Sequence, residues 1–134
     1  MLLYIYIYIY VASVLVLKVT KHVCLQINII VAGGCDGWCA EKDGIRNAEM
    51  YNPETDQWTD IADTPVPISS HKMELLEGRP TIIGGIDSAA RRTNRHLYQY
   101  YVETDEWRPH PTITMRVPRS SAAVFQVPRE LFRC

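Results

Sequence analysis

Short stretches with a period of two dominate the hydrophobic pattern of this chain, and that period is typical of β-strands. Residues 47–51 and 96–101 alternate in this way, and each stretch runs into a polar turn. A β-branched run before Gly33 and Gly34 predicts a further strand that ends at the diglycine. The pattern therefore predicts an all-β protein built from short antiparallel strands.

The first 17 residues, MLLYIYIYIYVASVLVL, form an apolar run without a charged side chain. As a helix this run would extend about 25 Å, at the short end of what spans a membrane. As a secretory signal it lacks the usual positively charged start. Lys18 and Lys21 follow it and favour a cytoplasmic location for the downstream chain. A membrane anchor or an uncleaved signal is therefore one interpretation of residues 1–23.

Two other interpretations of residues 1–23 come from the strict alternation of Ile and Tyr between Tyr4 and Tyr10. This period of two suits a strand of the fold better than an amphipathic helix. A DNA repeat ATATAT read in triplets also encodes alternating Ile and Tyr, so non-coding DNA captured by a gene prediction would give the same run. We expect a cytoplasmic protein if the run is spurious, and a membrane or extracellular protein if it is genuine.

The rest of the chain contains an internal repeat with a period of about fifty residues. A diglycine recurs at an offset of 51, and a tyrosine seven residues before a tryptophan recurs at an offset of 49. The tripeptide Glu-Thr-Asp lies between that tyrosine and tryptophan in both copies, and TPVPISS matches TMRVPRSS at an offset of 51. The repeated motif comprises Gly33, Gly34, Tyr51, Trp58, Gly84, Gly85, Tyr100 and Trp107.

Each copy of the repeat predicts four short strands. Trp58 and Trp107 open strands that are expected to end at Pro65 and Pro109. Residues 69–76 and 120–127 supply the strand that precedes a diglycine strand.

A hydrophobic run into Gly-Gly, then Tyr, then Trp at this period resembles the kelch repeat, which forms one blade of a β-propeller. The resemblance covers residues 24–134. It implies an incomplete kelch-type propeller of about two four-stranded antiparallel blades, preceded by the hydrophobic segment. The expected boundaries are about 24–63 for the first repeat, 64–114 for the second, and 115–134 for the first strand of a further blade.

Two repeats cannot close a propeller ring, because each blade buries its faces against neighbouring blades. The predicted strands give strands two to four of one blade, a complete second blade and, at residues 118–127, the first strand of a third. The resemblance therefore implies the last part of a larger propeller, whose other blades come from upstream sequence or from other copies of the chain. Exposed edges and blade faces in the chain as written predict self-association.

Composition and motifs exclude several function classes. The 134 residues carry a net charge of −1 and contain no glycine-rich nucleotide loop, so nucleic acid and nucleotides are not expected partners. The four histidines, which lie outside any catalytic or metal-binding motif, are His22, His71, His96 and His110. We expect no enzyme activity, no cofactor and no metal site.

The four cysteines are Cys24, Cys35, Cys39 and Cys134. Cys35 and Cys39 are a candidate disulfide that would close a small loop, although free thiols fit the spacing equally well. A metal site is the least favoured alternative, because no second Cys or His pair follows. A disulfide would imply an oxidising compartment.

The candidate partner-binding residues lie in the loops after the two diglycines. Arg91, Arg92 and Arg95 follow the second diglycine, and Trp38 follows the first. Kelch propellers often bind partner peptides through such loops, and the arginines would suit the carboxylates of an acidic peptide. A solvated loop without a ligand is the alternative.

Two functions from different classes remain open. The first is a non-catalytic protein-interaction module that presents its rim loops to a protein or peptide partner. The second is a membrane-anchored or secreted kelch-repeat protein with a disulfide-stabilised loop. Nothing in the chain resembles the BTB or BACK domains of ubiquitin-ligase adaptors.

Overall fold

The structure is a computed structural model that describes residues 13–21, 24–35, 44–124 and 127. The described residues form eleven strands and no helix, which confirms the predicted all-β class. The strands are β1 (Ser13–Lys21), β2 (Cys24–Ala32), β3 (Ala48–Asn52), β4 (Gln57–Ile61), β5 (Ile68–Ser69), β6 (Lys72–Leu76), β7 (Arg79–Ile83), β8 (Ile86–Asp87), β9 (Arg92–Thr93), β10 (His96–Tyr101) and β11 (Glu106–Thr114).

Two four-stranded antiparallel sheets correspond to the two copies of the repeat. The first sheet has the order β1-β2-β3-β4, and the second has the order β6-β7-β10-β11. A small sheet of the order β5-β8-β9 lies outside both, because the β8–β9 hairpin is inserted between β7 and β10. In both large sheets the motif tyrosine pairs across the ladder with the motif tryptophan, as Tyr51 with Trp58 and Tyr100 with Trp107.

Strand β1 extends the first sheet across the predicted boundary at residue 23. It pairs with β2 from Ser13–Ala32 to Lys21–Cys24, so the first sheet has four strands where the sequence predicted three from residue 24 onwards. Residues 1–12 and 22–23 lie outside the described residues, and the remaining interpretations of the N-terminal run stay predictions. Among the described residues, no helix has the length and apolar character needed to cross a bilayer.

Strand β11 does not end at Pro109, as the sequence predicted, but continues to Thr114. It is the outer strand of the second sheet, so the proline nitrogen, which has no N–H to donate, can point away from the neighbouring strand. The register with β10 shifts between His96 and Tyr98, which indicates a bulge opposite the prolines.

The strand predicted at residues 118–127 is not formed in the described part of this range, residues 118–124 and 127. Its start is nevertheless held in place, because the Gly85 N–H donates to the Arg119 carbonyl at 2.9 Å, as the Gly34 N–H donates to the Ile68 carbonyl at 2.8 Å. In each large sheet the first strand pairs with the second strand of the same sheet. The described residues after Arg119 contain no second strand with which residues 118–124 could pair. The described residues form no strand here, and the first strand of a further blade at residues 115–134 stays a prediction.

The hydrophobic core lies between the two large sheets and includes the small sheet. Ile30, Ile68 and Ile82 are completely buried there, with Tyr100 and Trp107 packed beside them. Gly33 lets the first sheet approach β5 closely, since a Cβ at Gly33 would lie 2.6 Å from the Ile68 carbonyl oxygen. Its φ of 63° also lies in the left-handed region that favours glycine.

Candidate functional site

The motif tyrosine and tryptophan form the same local unit in both sheets. The rings of Tyr51 and Trp58 lie 5.0 Å apart at 39°, and those of Tyr100 and Trp107 have the same separation and angle. Each tyrosine hydroxyl also donates a 2.7 Å hydrogen bond to an aspartate, Asp56 in the first sheet and Asp105 in the second. The two copies of the motif are therefore alike in geometry as well as in sequence.

The second unit joins the two sheets. The Trp107 indole N–H donates to the Ala62 carbonyl at 2.8 Å, and the Ala62 N–H donates to Asp105 Oδ1 at 2.8 Å. The Ala62 N–H, with help from the Tyr100 hydroxyl, holds the pKa of Asp105 below its usual value. Burial and the bond to Asp105 raise the pKa of Tyr100. These motif residues hold one sheet against the other.

Sequence reasoning missed the two aspartates as structural partners. Asp56 and Asp105 end the repeated Glu-Thr-Asp tripeptide, and each lies five residues after its motif tyrosine. Both take a left-handed φ, 53° and 50°, which aspartate tolerates better than most residues. The recurrence of Asp at this fixed distance from Tyr was the signal that could have identified them.

The β8–β9 hairpin carries the candidate partner-binding arginines, and Asn94 fixes its base. Asn94 is 5% exposed, and its side-chain amide donates to the carbonyls of Gly84 and His96. The Asn94 N–H donates to the Gly85 carbonyl at 2.8 Å, so the end of the hairpin is tied to the second diglycine.

The tip of the hairpin is held from the other side by Ser88. Its hydroxyl accepts the Gly44 N–H at 3.0 Å, and its own N–H donates to the Pro67 carbonyl at 3.0 Å. Asp87 Oδ1 accepts the Ala90 N–H at 3.0 Å, which closes the turn between β8 and β9. The arginines therefore project from a hairpin whose backbone is anchored at both ends.

A cleft of about 370 Å³ opens beside this hairpin, and we call it the arginine cleft. Its walls are Val66, Asp87, Arg92, Thr93, Asn94, Arg95, His96, Tyr98 and Pro118. Arg92 and Arg95 are exposed, and the Arg95 guanidinium donates to the Met115 carbonyl at 3.4 Å. Tyr98 is 8% exposed, and burial raises the pKa of its hydroxyl.

Of the four residues predicted to bind a partner, the structure brings Arg92 and Arg95 to this cleft. Arg91 lines a smaller adjacent cleft of about 200 Å³, which it shares with Arg92. Trp38 lies outside the described residues. Tyr98 was not predicted because it reaches the cleft from β10, whereas Asp87 and Asn94 lie beside the arginines in the same loop, where the prediction considered only the cationic residues.

His71 lies at the junction between the two diglycines. His71 is 3% exposed, and a Cβ added at Gly85 would lie 2.7 Å from the Cβ of His71. Burial lowers the pKa of His71 to about 4, with a smaller contribution from Lys72, against a hydrogen bond to the Ala32 backbone that raises it. His71 is therefore neutral near pH 7.

Two further predictions concern sulfur and metal chemistry. Cys35 is disulfide-bonded, whereas Cys39 lies outside the described residues, so the pairing of Cys35 with Cys39 stays a prediction. Within residues 13–21, 24–35, 44–124 and 127, no three His, Cys, Asp or Glu side chains are grouped to hold a metal ion.

Comparisons with known proteins agree with the motif. A family model described as Kelch motif matches residues 24–65. Kelch-like protein 15 from Homo sapiens is 41% identical over 46 residues, which cover 34% of this chain and 8% of that protein. Beta-scruin from Limulus polyphemus is 28% identical over 100 residues, which cover 71% of this chain and 10% of that protein.

The chain spans only about a tenth of the length of these curated relatives. Among solved structures, one titled "Structure of YjhT" superimposes with a TM-score of 0.51 at 17% identity, over 65% of this chain and 36% of that chain. At this identity the likeness concerns the fold alone. Residues 24–65 therefore match the Kelch motif, and the two four-stranded sheets of the chain have the fold of β-propeller blades.

Proposed function

We propose that the chain is a non-catalytic interaction module that binds a protein or peptide partner at the arginine cleft. Kelch repeats generally mediate protein–protein interaction, which supports the class of function. The observation that carries the location is that Arg92 and Arg95 line one cleft whose floor is anchored by the buried Asn94. An anchored floor lowers the entropy that a loop loses when it binds a ligand.

The chemistry of the cleft favours an acidic peptide. Arg92 and Arg95 offer planar donors that suit carboxylates in bidentate geometry, and they outnumber the one acidic wall residue, Asp87. Val66 and Pro118 add an apolar wall against which a peptide side chain can pack. We expect a ligand with two carboxylates flanking an apolar residue.

Selection from a phage-displayed library of random 12-residue peptides tests this proposal. We expect the selected peptides to be enriched in Asp and Glu, and the double variant Arg92→Glu/Arg95→Glu to bind a selected peptide at least tenfold more weakly by fluorescence polarisation. A matched control is Lys72→Glu/Arg108→Glu, which changes the net charge equally at exposed residues outside the cleft walls.

Equal loss of affinity in both double variants would show that only net charge matters and would contradict the proposed site. Selected peptides without an excess of acidic residues would contradict the proposed ligand class. Circular dichroism melting of all three proteins shows whether each variant is folded.

The second candidate function is that of a membrane-anchored or secreted kelch-repeat protein. The observation that favours it is the disulfide bond at Cys35, since disulfides persist in oxidising compartments. Under this proposal Cys35 pairs with Cys39 and stabilises the loop between β2 and β3.

Alkylation of the protein purified from its own cells tests the disulfide. We expect Cys35 to resist iodoacetamide until a reductant is added, and a peptide linking Cys35 to Cys39 to appear in the non-reduced digest by mass spectrometry. The proposal fails if Cys35 is alkylated without reduction, or if the native protein is recovered entirely in the cytosolic fraction.

A further inference from the structure

The junction between the two large sheets defines a pattern of contact that the rest of the molecule can repeat. The second sheet presents Trp107 and Asp105, and the first sheet presents the Ala62 peptide group, whose carbonyl and N–H both bond to them. Ala62 also packs against the core at this junction. The junction therefore joins a tryptophan face on one sheet to the end of an outer strand on the other.

The first sheet carries an exposed copy of the same tryptophan face. Trp58 lies against Tyr51 with the geometry of Trp107 against Tyr100, yet Trp58 is 47% exposed whereas Trp107 is 8% exposed. Within the described residues, no hydrogen bond of the Trp58 indole N–H is formed. We call this surface, made of Asp56 and Trp58, the front face.

The second sheet carries an exposed copy of the strand end. The Met115 N–H donates to the Arg95 carbonyl at 2.9 Å, as the Thr64 N–H donates to the Arg46 carbonyl at 2.8 Å. Ile113 therefore holds the position of Ala62, two residues before this bond. Ile113 is 40% exposed and Val117 is 52% exposed, and we call the surface of residues 112–117 the rear edge.

We propose that this chain self-associates head to tail, with the front face of one copy packed on the rear edge of a second copy. The Trp58 indole would donate to the Ile113 carbonyl and cover the exposed Ile113 side chain. The second copy is the occupant that the structure favours, because one chain presents both halves of a contact that it already makes internally. This inference is independent of the proposed function at the arginine cleft.

The contact between two copies is expected to be weaker than the contact between the two sheets of one copy. The Ile113 N–H donates to His110 Nδ1 at 3.1 Å, so Asp56 does not gain the bond that Asp105 receives from Ala62. The two surfaces differ from each other, so the contact is heterologous and the association continues into a ring or an open chain of copies.

Sedimentation velocity of the full 134-residue protein over a range of concentrations tests this inference. We expect the weight-average sedimentation coefficient to rise with concentration, and Trp58→Ala to weaken the association at least tenfold. The matched control is Val102→Ala, which truncates a more exposed apolar side chain, 55% exposed, in a turn outside both surfaces.

Mixing two variants distinguishes a head-to-tail contact from any symmetric one. Trp58→Ala removes the front face and Ile113→Asp places a charge on the rear edge, so each variant alone should stay monomeric. Their mixture should form a 1:1 dimer, because each supplies the surface that the other lacks. Circular dichroism melting checks that both variants are folded.

A wild-type protein that stays monomeric at all concentrations would overturn the inference. The inference also fails if Trp58→Ala associates as strongly as Val102→Ala, or if the mixture of variants contains no dimer.

Discussion

Gly33, which follows strand β2, shows how the absence of a side chain lets two parts of the fold approach closely. A Cβ at Gly33 would lie 2.6 Å from the Ile68 carbonyl oxygen and 2.9 Å from Ile68 Cγ2, which is too close for either atom to tolerate. Ile68 is completely buried and cannot move aside without disturbing the core.

Replacing Gly33 by alanine should therefore destabilise the protein by more than backbone strain alone. Gly78 provides the matched control, since its φ of 73° is similar to the 63° of Gly33 but a Cβ there would meet nothing within 4 Å. We expect Gly78→Ala to cost about 1 kcal/mol from the left-handed backbone, and Gly33→Ala to cost roughly 2 kcal/mol more from the clash. Urea unfolding of the two variants measures the difference, and equal losses would refute the role of close approach.

The sequence could identify Gly33 and its repeat Gly84 because the diglycine recurs at a constant offset. It could not identify Asn94 or Ser88, whose importance arises from carbonyls and N–H groups that come near only after folding. The arginines of the cleft were predicted from local charge. Tyr98 was missed because it reaches the cleft from β10, outside the loop that carries the arginines.

At the scale of elements, the repeat predicted the strands that lie inside each sheet better than those at the edges. Strands β3 and β10 follow the predicted alternation because both of their neighbours constrain them. The outer strand β11 continues past Pro109, since an outer strand needs donors on one side only.

Strand partners explain the two remaining differences between prediction and structure. Residues 13–21 form a strand because β2 offers them a ladder of nine residue pairs. Residues 118–124, PRSSAAV, contain a proline and a single β-branched residue and have no described partner, and they form no strand. Both its side chains and its partner strand therefore favour β1.

At the scale of the whole molecule, the two sheets are joined around the buried side chain of His71. His71 is 3% exposed and lies between the two diglycines, where a Cβ at Gly33 would be 3.0 Å from its Cε1 atom. A positive charge at this position would be enclosed by both sheets at once. Protonation of His71 should therefore affect the stability of the whole fold rather than that of one strand.

The sign of this effect follows from the pKa of His71, which burial lowers from 6.5 in the unfolded chain to about 4. The unfolded state binds more protons between these values, so the stability present above pH 6.5 is lost as the pH falls towards 4. We expect a loss of about 2 kcal/mol between pH 7 and pH 5. Urea unfolding at several pH values measures it.

The variant His71→Gln separates this effect from the titration of carboxylates. Asp105, whose pKa is held below its usual value by the Ala62 N–H, loses its contribution only as the pH falls further, below the range of the histidine. The variant should therefore be less sensitive to pH than the wild type between 7 and 5, whatever its stability at pH 7. An NMR titration gives an independent reading on the unmutated protein. A His71 ring that protonates near pH 6.5 in the folded state would contradict the link between its burial and the joining of the two sheets.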